Sequence, residues 1–473
     1  MQQNIRVRFA PSPTGHLHIG GFRTALFNYL FARHHNGIYV LRIEDTDLER
    51  SKQEYVDSIM ATFSWSGIVS DEPVVIQSAY IDEHKALVNR LLQEGKAYRC
   101  YCTQEEVIFR YQKTHDTTDL FVKYDGMCRS LVDPIDKPYA VRFAIPEEIE
   151  SVVFNDCIRG EVSIGVDQLD DFIIARSDGT PMYNFVVVAD DARMQITHVI
   201  RGEEHIINTP KQILLYQAFG YAVPQFAHIP LILDKKGNKL SKRDAATSIV
   251  EYIEAGYLPD AFINYFARLG WSHGDQEIFS REELIAYFSL DNVGKKGAIF
   301  DQDKLDWING VYMRAMSAAL LCAYIERWID IDFKQKTAVW QIDTVYQLID
   351  LYKERVKTVK ELANVIIAVA HAPVSINPSD IATHVSQETV VQLHNLIKML
   401  EQMTDFTVDI IKEQIKQWCK VHGLALVAIA QPVRIALVGT ISSPGIFDLL
   451  AIIGKQESIK RLQLLIAQVN KTS

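Results

Sequence analysis

Arg8 ends a short strand-like run, Ile5 to Phe9, and the chain then reads Ala-Pro-Ser-Pro-Thr-Gly-His-Leu-His-Ile-Gly from Ala10 to Gly20. A helical apolar pattern follows at Phe22, Leu26, Phe27 and Leu30. A loop between a strand and a helix start can receive phosphate, because the helix presents its unpaired N–H groups and the positive end of its dipole there. Pro11 and Pro13 hold this loop extended, and Gly15 and Gly20 let backbone approach a ligand closely. A nucleoside triphosphate fits such a loop, with His18 placed to hydrogen-bond its phosphates. An ordinary turn before a helix would account for the prolines and glycines, but not for two histidines, His16 and His18, at this spacing.

More than two hundred residues later, Lys239-Leu240-Ser241-Lys242-Arg243 follows the apolar run Ile229 to Leu233 and a turn rich in Lys, Gly and Asn. Two lysines flanking a serine on a loop can neutralise charge that moves onto a departing pyrophosphate. Alone, such a stretch reads as a solvated basic turn. With the first loop it acquires a partner in the same reaction.

The two segments resemble the HIGH and KMSKS signatures of class I aminoacyl-tRNA synthetases, with His18-Ile19-Gly20-Gly21 on the first and Lys239 to Arg243 on the second. Gly21 stands where the second histidine of the HIGH signature would be. Further stretches narrow the resemblance: Arg8 to Gly15, Leu41 to Asp47 closing a strand, Thr180 to Phe185 opening another, and His198 to His205 ending a third. Together with Gln431 to Arg434 and Ser443 to Phe447, they make the whole chain similar to the bacterial-type glutamyl-tRNA synthetases.

That resemblance implies an ATP- and Mg²⁺-dependent ligase that joins L-glutamate to tRNA(Glu) through a glutamyl-adenylate. It assigns catalysis to His18, Lys239 and Lys242. ATP would meet Pro11, Gly15, His18, Gly20, Gly21, Lys239, Leu240, Ser241 and Lys242. Glutamate would meet Arg8, Ala10, Ser12, Glu44, Tyr183 and Arg201, with Arg8 reading the side-chain carboxylate and Glu44 facing the ammonium. A fork-shaped Arg–carboxylate contact explains rejection of glutamine, whose amide mismatches the guanidinium donors. The competing arrangement pairs Arg8 with Glu44 at the strand ends. Asp45, Thr46 and Asp47 would organise the rim of the site, or Asp45 and Asp47 would serve as plain caps. Arg355, in the basic run Lys353 to Lys360, aligns with an arginine that reads the third anticodon base.

Composition bounds these expectations. A chain of 473 residues holds several domains, and 48% hydrophobic residues suffice for their cores. A net charge of −10 excludes an indiscriminate nucleic-acid binder, so any tRNA contact must use local basic patches. No apolar stretch is long enough to span a bilayer. Six cysteines over this length point to a reducing cytoplasm rather than a disulfide framework. A monomer is expected, because the family usually is one.

Cys100, Cys102 and Cys128 invite a metal reading. Relatives carry zinc on a Cys-x-Cys pair and a later Cys-x-His or Cys-x-Tyr pair, but here the fourth position is Ser130, a poor zinc ligand. His115 or Asp133 are the neighbours that could substitute. The reading favours a decayed site without zinc.

The elements that position these residues follow from periodicity. Strand-like and helical segments alternate over 1–97 and 186–240, which predicts an α/β, Rossmann-like catalytic domain split by an α+β insertion at 98–185. Tyr139 to Ala144 and Phe172 to Arg176 are strand-like runs of that insertion. After Lys242 the pattern is helical throughout, and the resemblance implies that 98–185 is an inserted acceptor-end-binding domain, 241–310 a stem-contact domain, and 311–376 and 377–473 two helical anticodon-binding domains. The all-helical C-terminal half separates the chain from glutaminyl relatives, which end in β-barrels.

Overall fold

The computed structural model describes residues 4–47, 49–115, 122–131, 135–240, 248–329, 331–374 and 376–472. The chain forms two compact units, 1–251 with 262–302 and 252–261 with 303–473.

The first unit is built on a seven-stranded sheet. Its chain order begins β1 (Arg6–Phe9), α1 (Ile19–His34), β2 (Ile38–Ile43), α2 (Gln53–Ser66), β3 (Val75–Ile76), α3 (Ile81–Gln93), β4 (Ala97–Cys100) and α4 (Gln104–His115). It continues with β5 (Ala140–Phe143), β6 (Ser151–Asp156), β7 (Gly160–Gly165), β8 (Ile173–Ala175), α5 (Tyr183–Arg193), β9 (His198–Gly202), α6 (Thr209–Phe219), β10 (Gln225–Ile229) and β11 (Ile232–Leu233). The sheet order is β3-β2-β1-β9-β10-β6-β7, parallel except for the β6–β7 hairpin. From β1 the chain crosses by α1 to β2 on one side, and from β9 it crosses by α6 to β10 on the other. The order reverses between β1 and β9, and an open parallel sheet leaves a crevice for ligands beyond the carboxyl ends of its strands at such a point.

Burial explains the strands. Val7 and Phe9 are buried, and β2 contributes Tyr39, Val40, Leu41 and Ile43, as expected of strands covered on both faces. Two side chains of α1 tie it to its surroundings: Asn28 donates to the Ile200 carbonyl at 3.0 Å, and Arg23 donates to Leu269 O at 3.0 Å and to Pro230 O. Burial pulls the Arg23 guanidinium down to about 10, with Glu204 opposing.

Two expectations are corrected. Thr180 to Phe185 does not open a strand. After an isolated bridge at Pro181 the chain starts helix α5 at Tyr183. Val186, Val187 and Val188 favour strand locally, yet all three are buried here in a helix, so packing overrides propensity. The basic run Lys353 to Lys360 does not surround one helix. Residues 353–358 are the turn between helices Ile342–Tyr352 and Val359–Ala370, and Lys360 lies in the second, because Thr358 caps it by accepting from Glu361 N at 3.2 Å.

The segment 98–185 divides between two sheets. Strands β4, β5 and β8 make a small antiparallel sheet, whereas β6 hydrogen-bonds to β10 and joins the main one. The second unit is helical, from Gln302–Ala315 to Lys455–Thr472. Within it, the buried side chain of Asn309 accepts from Leu258 N and donates to Lys357 O, at 2.8 and 2.7 Å.

Candidate active site

Arg8 in β1, Glu44 just past β2, Arg201 in β9 and Tyr183 at the start of α5 meet at the crevice between β1 and β9. Burial pushes the Tyr183 phenol up, Glu44 adds to the shift, and Arg201 and Arg8 oppose it, so the three charges all act on this hydroxyl. Tyr183 itself stands at the rim, 39% exposed.

Arg8 and Glu44 do not pair with each other. Arg8 is 5% exposed and donates its Nε to both oxygens of Asp191, at 3.1 and 3.2 Å. Among the described residues no acceptor meets its two Nη atoms, which leaves the fork for a ligand. Glu44 instead takes Nε and Nη2 of Arg42, at 3.3 and 2.9 Å. Arg42 has no exposed surface and also donates Nη1 to Asp191 at 2.7 Å. Burial alone would lower the Arg42 guanidinium, but Asp191, Glu44 and Asp190 together raise it. For Glu44 burial wins and raises the carboxyl, despite Arg42 and Arg8. Burial also acts upward on Asp191, but Arg8 and Arg42 outweigh it and hold the carboxyl below its ordinary value.

Arg42, Asp191 and Asp190 escaped sequence reasoning. Asp190 accepts from Gln77 at 2.7 Å, meets His84 at 2.9 Å and pairs with Arg193 at 3.0 Å. The available signal was composition: an arginine inside Ile-Tyr-Val-Leu-Arg-Ile and two aspartates ending the run Val186 to Ala189. Charges in apolar segments must find partners when buried.

Arg201 is 5% exposed and is held by neutral groups. It donates to Gln212 Oε1 at 2.8 Å, Thr209 Oγ1 at 2.7 Å, His228 Nε2 at 3.2 Å and His205 O at 3.4 Å. A buried guanidinium whose hydrogen-bond partners carry no charge retains its attraction for an incoming carboxylate.

The phosphate-type loop runs from Ala10 to His18. Pro11 O accepts from Glu44 N at 2.9 Å and Pro13 O from Lys52 N at 3.1 Å, which pins the loop to the segment after β2. Ala10 is half-buried and Ser12 exposed. A Cβ added at Gly15 would meet nothing within 4 Å, whereas one at Gly21 would fall 2.8 Å from Leu17 Cδ1. A side chain at Gly21, where the signature has histidine, would require Leu17 to shift. His18 caps α1: its Nδ1 accepts from Gly21 N at 3.1 Å, which places the neutral ring's proton on Nε2. Gly20 lies against the same ring, with 3.1 Å left for a Cβ. His16 meets Ser58 Oγ at 3.0 Å and Tyr55 edge-on. Asp45 caps no helix of its own but binds the segment after β3, accepting from Ser78 N at 2.8 Å and Ser78 Oγ at 2.6 Å.

Lys239 and Leu240 follow a tight turn in which Asp234 accepts from Lys236 N and Asn238 N, both at 2.8 Å. Lys239 is exposed, and Leu240 N donates to Ile232 O at 3.1 Å. Ser241 and Lys242 lie outside the described residues. The chain re-enters beside the first loop: Ser248 bridges His18, and Ile249 N donates to Leu17 O at 3.1 Å. The described chain that follows the second motif thus stands beside the first loop.

Residues 4–307 match the family model described as tRNA synthetases class I (E and Q), catalytic domain. The chain belongs to the class I tRNA synthetases. Residues 318–466 of this synthetase match an anticodon binding domain. The synthetase is 46% identical to a glutamate–tRNA ligase of Thermodesulfovibrio yellowstonii over 98% of this chain and 99% of the relative. It is 43% identical to that of Geobacter sulfurreducens over 99% and 100%. A crystal structure of a glutamate tRNA ligase from Elizabethkingia meningosepticum, in complex with its amino acid, superposes with a TM-score of 0.86 at 36% identity, covering 98% and 99% of the two chains.

Two other groups complete the synthetase's inventory. The Sγ atoms of Cys100, Cys102 and Cys128 lie within 4.8 Å of one another, and those of Cys102 and Cys128 are 3.5 Å apart. Three thiolates on a tetrahedral zinc stand about 3.8 Å apart, given Zn–S bonds of about 2.3 Å. Ser130 is exposed, Asp133 lies outside the described residues, and His115 turns to Tyr111 O at 3.0 Å. The oxygen at the cluster is the Tyr124 hydroxyl, 3.4 Å from Cys100 Sγ. Guanidinium groups of Arg110 and Arg142 lie 3.3 Å from Cys102 and Cys100, respectively, and Arg110 favours the thiolate of Cys102. Burial nevertheless pushes the Cys102 thiol up to about 11.

In the second unit, Lys353 is bound to Met316 O and Asp350, and Lys357 to Asp306. Arg355 between them is exposed, and among the described residues none hydrogen-bonds or ion-pairs with its side chain. Among the described residues no helix is long and apolar enough to cross a membrane.

Proposed function

We propose that the protein is a glutamate–tRNA ligase, which activates L-glutamate with ATP to glutamyl-adenylate and transfers it to the 3′ end of tRNA(Glu), releasing AMP and pyrophosphate. The observation that carries this reading is the crevice at β1 and β9, with the open fork of Arg8, the neutrally held Arg201 and the carboxylate of Glu44, in a chain similar along its whole length to such ligases.

The chemistry asks little of a general base, since the attacking α-carboxylate of glutamate is already an anion at neutral pH. It asks for alignment and for positive charge where the α-phosphate becomes crowded and pyrophosphate departs. In this reading the Arg8 fork takes the side-chain carboxylate, Arg201 adds positive potential, Glu44 faces the ammonium, and Ala10, Ser12 and Tyr183 complete the pocket. MgATP enters as a substrate along Pro11, Gly15, Gly20, Gly21 and Leu240, with Ser241 beside them. His18 meets the phosphates, and Lys239 and Lys242 neutralise the leaving pyrophosphate. Arg355 reads the anticodon. Cys100, Cys102 and Cys128 with the Tyr124 hydroxyl would hold a structural zinc tying β4 to the turn at 122–130, an oxygen donor that the spacing to Ser130 did not reveal.

The test is attachment of labelled glutamate to separately purified tRNAs for glutamate and for glutamine, with ATP and Mg²⁺. Charging of the glutamate tRNA alone is expected. Charging of the glutamine tRNA as well would replace the discriminating enzyme with a broader one, and charging of neither would refute the reading.

A further inference from the structure

Among the described residues Arg201 is the one guanidinium of the crevice held without a carboxylate, and the chain behind it explains how. Its Nε donates to Nε2 of His228 at 3.2 Å, and His228 Nδ1 lies 2.6 Å from Oδ2 of Asp156. Both His228 and Asp156 are buried. A carboxylate only accepts, so Nδ1 carries the ring proton, and Nε2 keeps the lone pair that Arg201 requires. Burial pushes His228 below its ordinary value and Arg201 adds to this, while Asp156 opposes; the neutral ring is the form present at pH 7. Asp156 is itself fixed, because its Oδ1 accepts from Ile158 N at 2.9 Å, Arg159 N at 2.8 Å and His228 N at 3.3 Å. It ends β6, at the register position Phe226↔Asp156 where that strand joins β10.

We propose that Asp156 and His228 are positioning residues for amino-acid recognition: Asp156 fixes the tautomer of His228, and His228 fixes the guanidinium plane of Arg201 against the bound amino acid. The inference rests on the reading of Arg201 as a pocket residue. The imidazole does what a carboxylate in its place could not. It accepts the Arg201 hydrogen bond without cancelling the charge, and it keeps the anion of Asp156 one ring further from the ligand. Arg8, by contrast, has its anion in direct contact and offers only its fork.

Asp156→Asn tests the relay. The amide oxygen can still accept from Ile158 N and Arg159 N, but its NH₂ then faces His228 Nδ1. The ring must move its proton to Nε2, where donor meets donor at Arg201. The KM for glutamate is expected to rise about tenfold, with the KM for ATP within about twofold, as for loss of one hydrogen bond to a charged group. The ¹⁵N spectrum of His228 should show Nδ1–H in the parent and Nε2–H in the variant. His228→Leu should reproduce the KM effect. His228→Gln, which offers a donor to Asp156 and an acceptor to Arg201, should recover most of it. An unchanged glutamate KM in Asp156→Asn and His228→Leu would overturn the proposal, as would Nε2–H in the parent. The spectrum needs no turnover, so a parent unable to charge glutamate refutes the functional reading while the tautomer still decides the relay.

Discussion

Replacing Asp191 by asparagine removes the charge on which Arg8 and Arg42 converge, and the structure sets the size of the effect. The carboxylate is buried, with Arg42 Nη1 at 2.7 Å and Arg8 Nε at 3.1 Å. Two unit charges about 4 Å apart interact by roughly 4 kcal/mol at an effective dielectric of about 20. Desolvation offsets much of that, and breaking a buried pair by removing one partner costs about 3–5 kcal/mol. Asparagine keeps the shape and one acceptor, so the lower end applies: about 3 kcal/mol of stability, or a fall of about 6 °C in the unfolding midpoint. The carboxyl is held below its ordinary value in the folded protein. Its stability contribution is therefore present above the unfolded pKa of about 4 and is lost as pH falls through the lower folded value. Denaturant titrations of parent and variant should differ by a constant amount from about pH 5 to pH 8, and the difference should shrink only as pH falls below about 4 toward the lower folded value. Because the Arg8 fork is aimed through Nε, the KM for glutamate in aminoacylation should rise about tenfold. A variant whose midpoint stays within about 1 °C and whose KM stays within about twofold would refute the account of Arg8 as a fork steadied by Asp191.

Three further outcomes are expected. Lys242→Ala should slow tRNA-dependent ATP–pyrophosphate exchange by about a hundredfold or more, as loss of a group that stabilises transition-state charge does; a change of only a few-fold would remove Lys242 from the leaving-group role. Arg355→Gln should relax selection between tRNAs differing at the third anticodon base by about tenfold or more, measured as the ratio of kcat/KM values, and an unaltered ratio would take Arg355 out of anticodon reading. Metal analysis of purified protein should find about one zinc per chain, with chelation lowering the unfolding midpoint and Cys102→Ser abolishing uptake; zinc-free protein with an unaffected midpoint would show the thiols to be merely buried.

What the sequence determined by itself is what lies close along the chain. The loop Ala10 to Gly20, the helix that follows and the turn before Lys239 are local arrangements. Proline and glycine restrict their backbone, and a helix start supplies its own donors, so residue types and spacing suffice. The alternation of strand and helix followed by helix alone carried the fold class for the same reason. Tertiary structure decided the pairings. Arg8 meets Asp191 across 183 positions, and His228 meets Asp156 across 72, separations over which no periodicity speaks. Arg8 and Glu44 each end a neighbouring strand, so their pairing stood as the competing arrangement, and only the fold showed that Asp191 and Arg42 are their partners instead. The valines of α5 favour strand in isolation and became helix, because a core position rewards packing more than local preference. The Tyr124 hydroxyl reaches Cys100 at 3.4 Å because the turn at 122–130 folds back on β4, a contact across 24 positions that spacing does not announce. Local backbone preference is written in neighbouring residues, whereas the partner of a buried charge depends on which distant segment the fold places beside it.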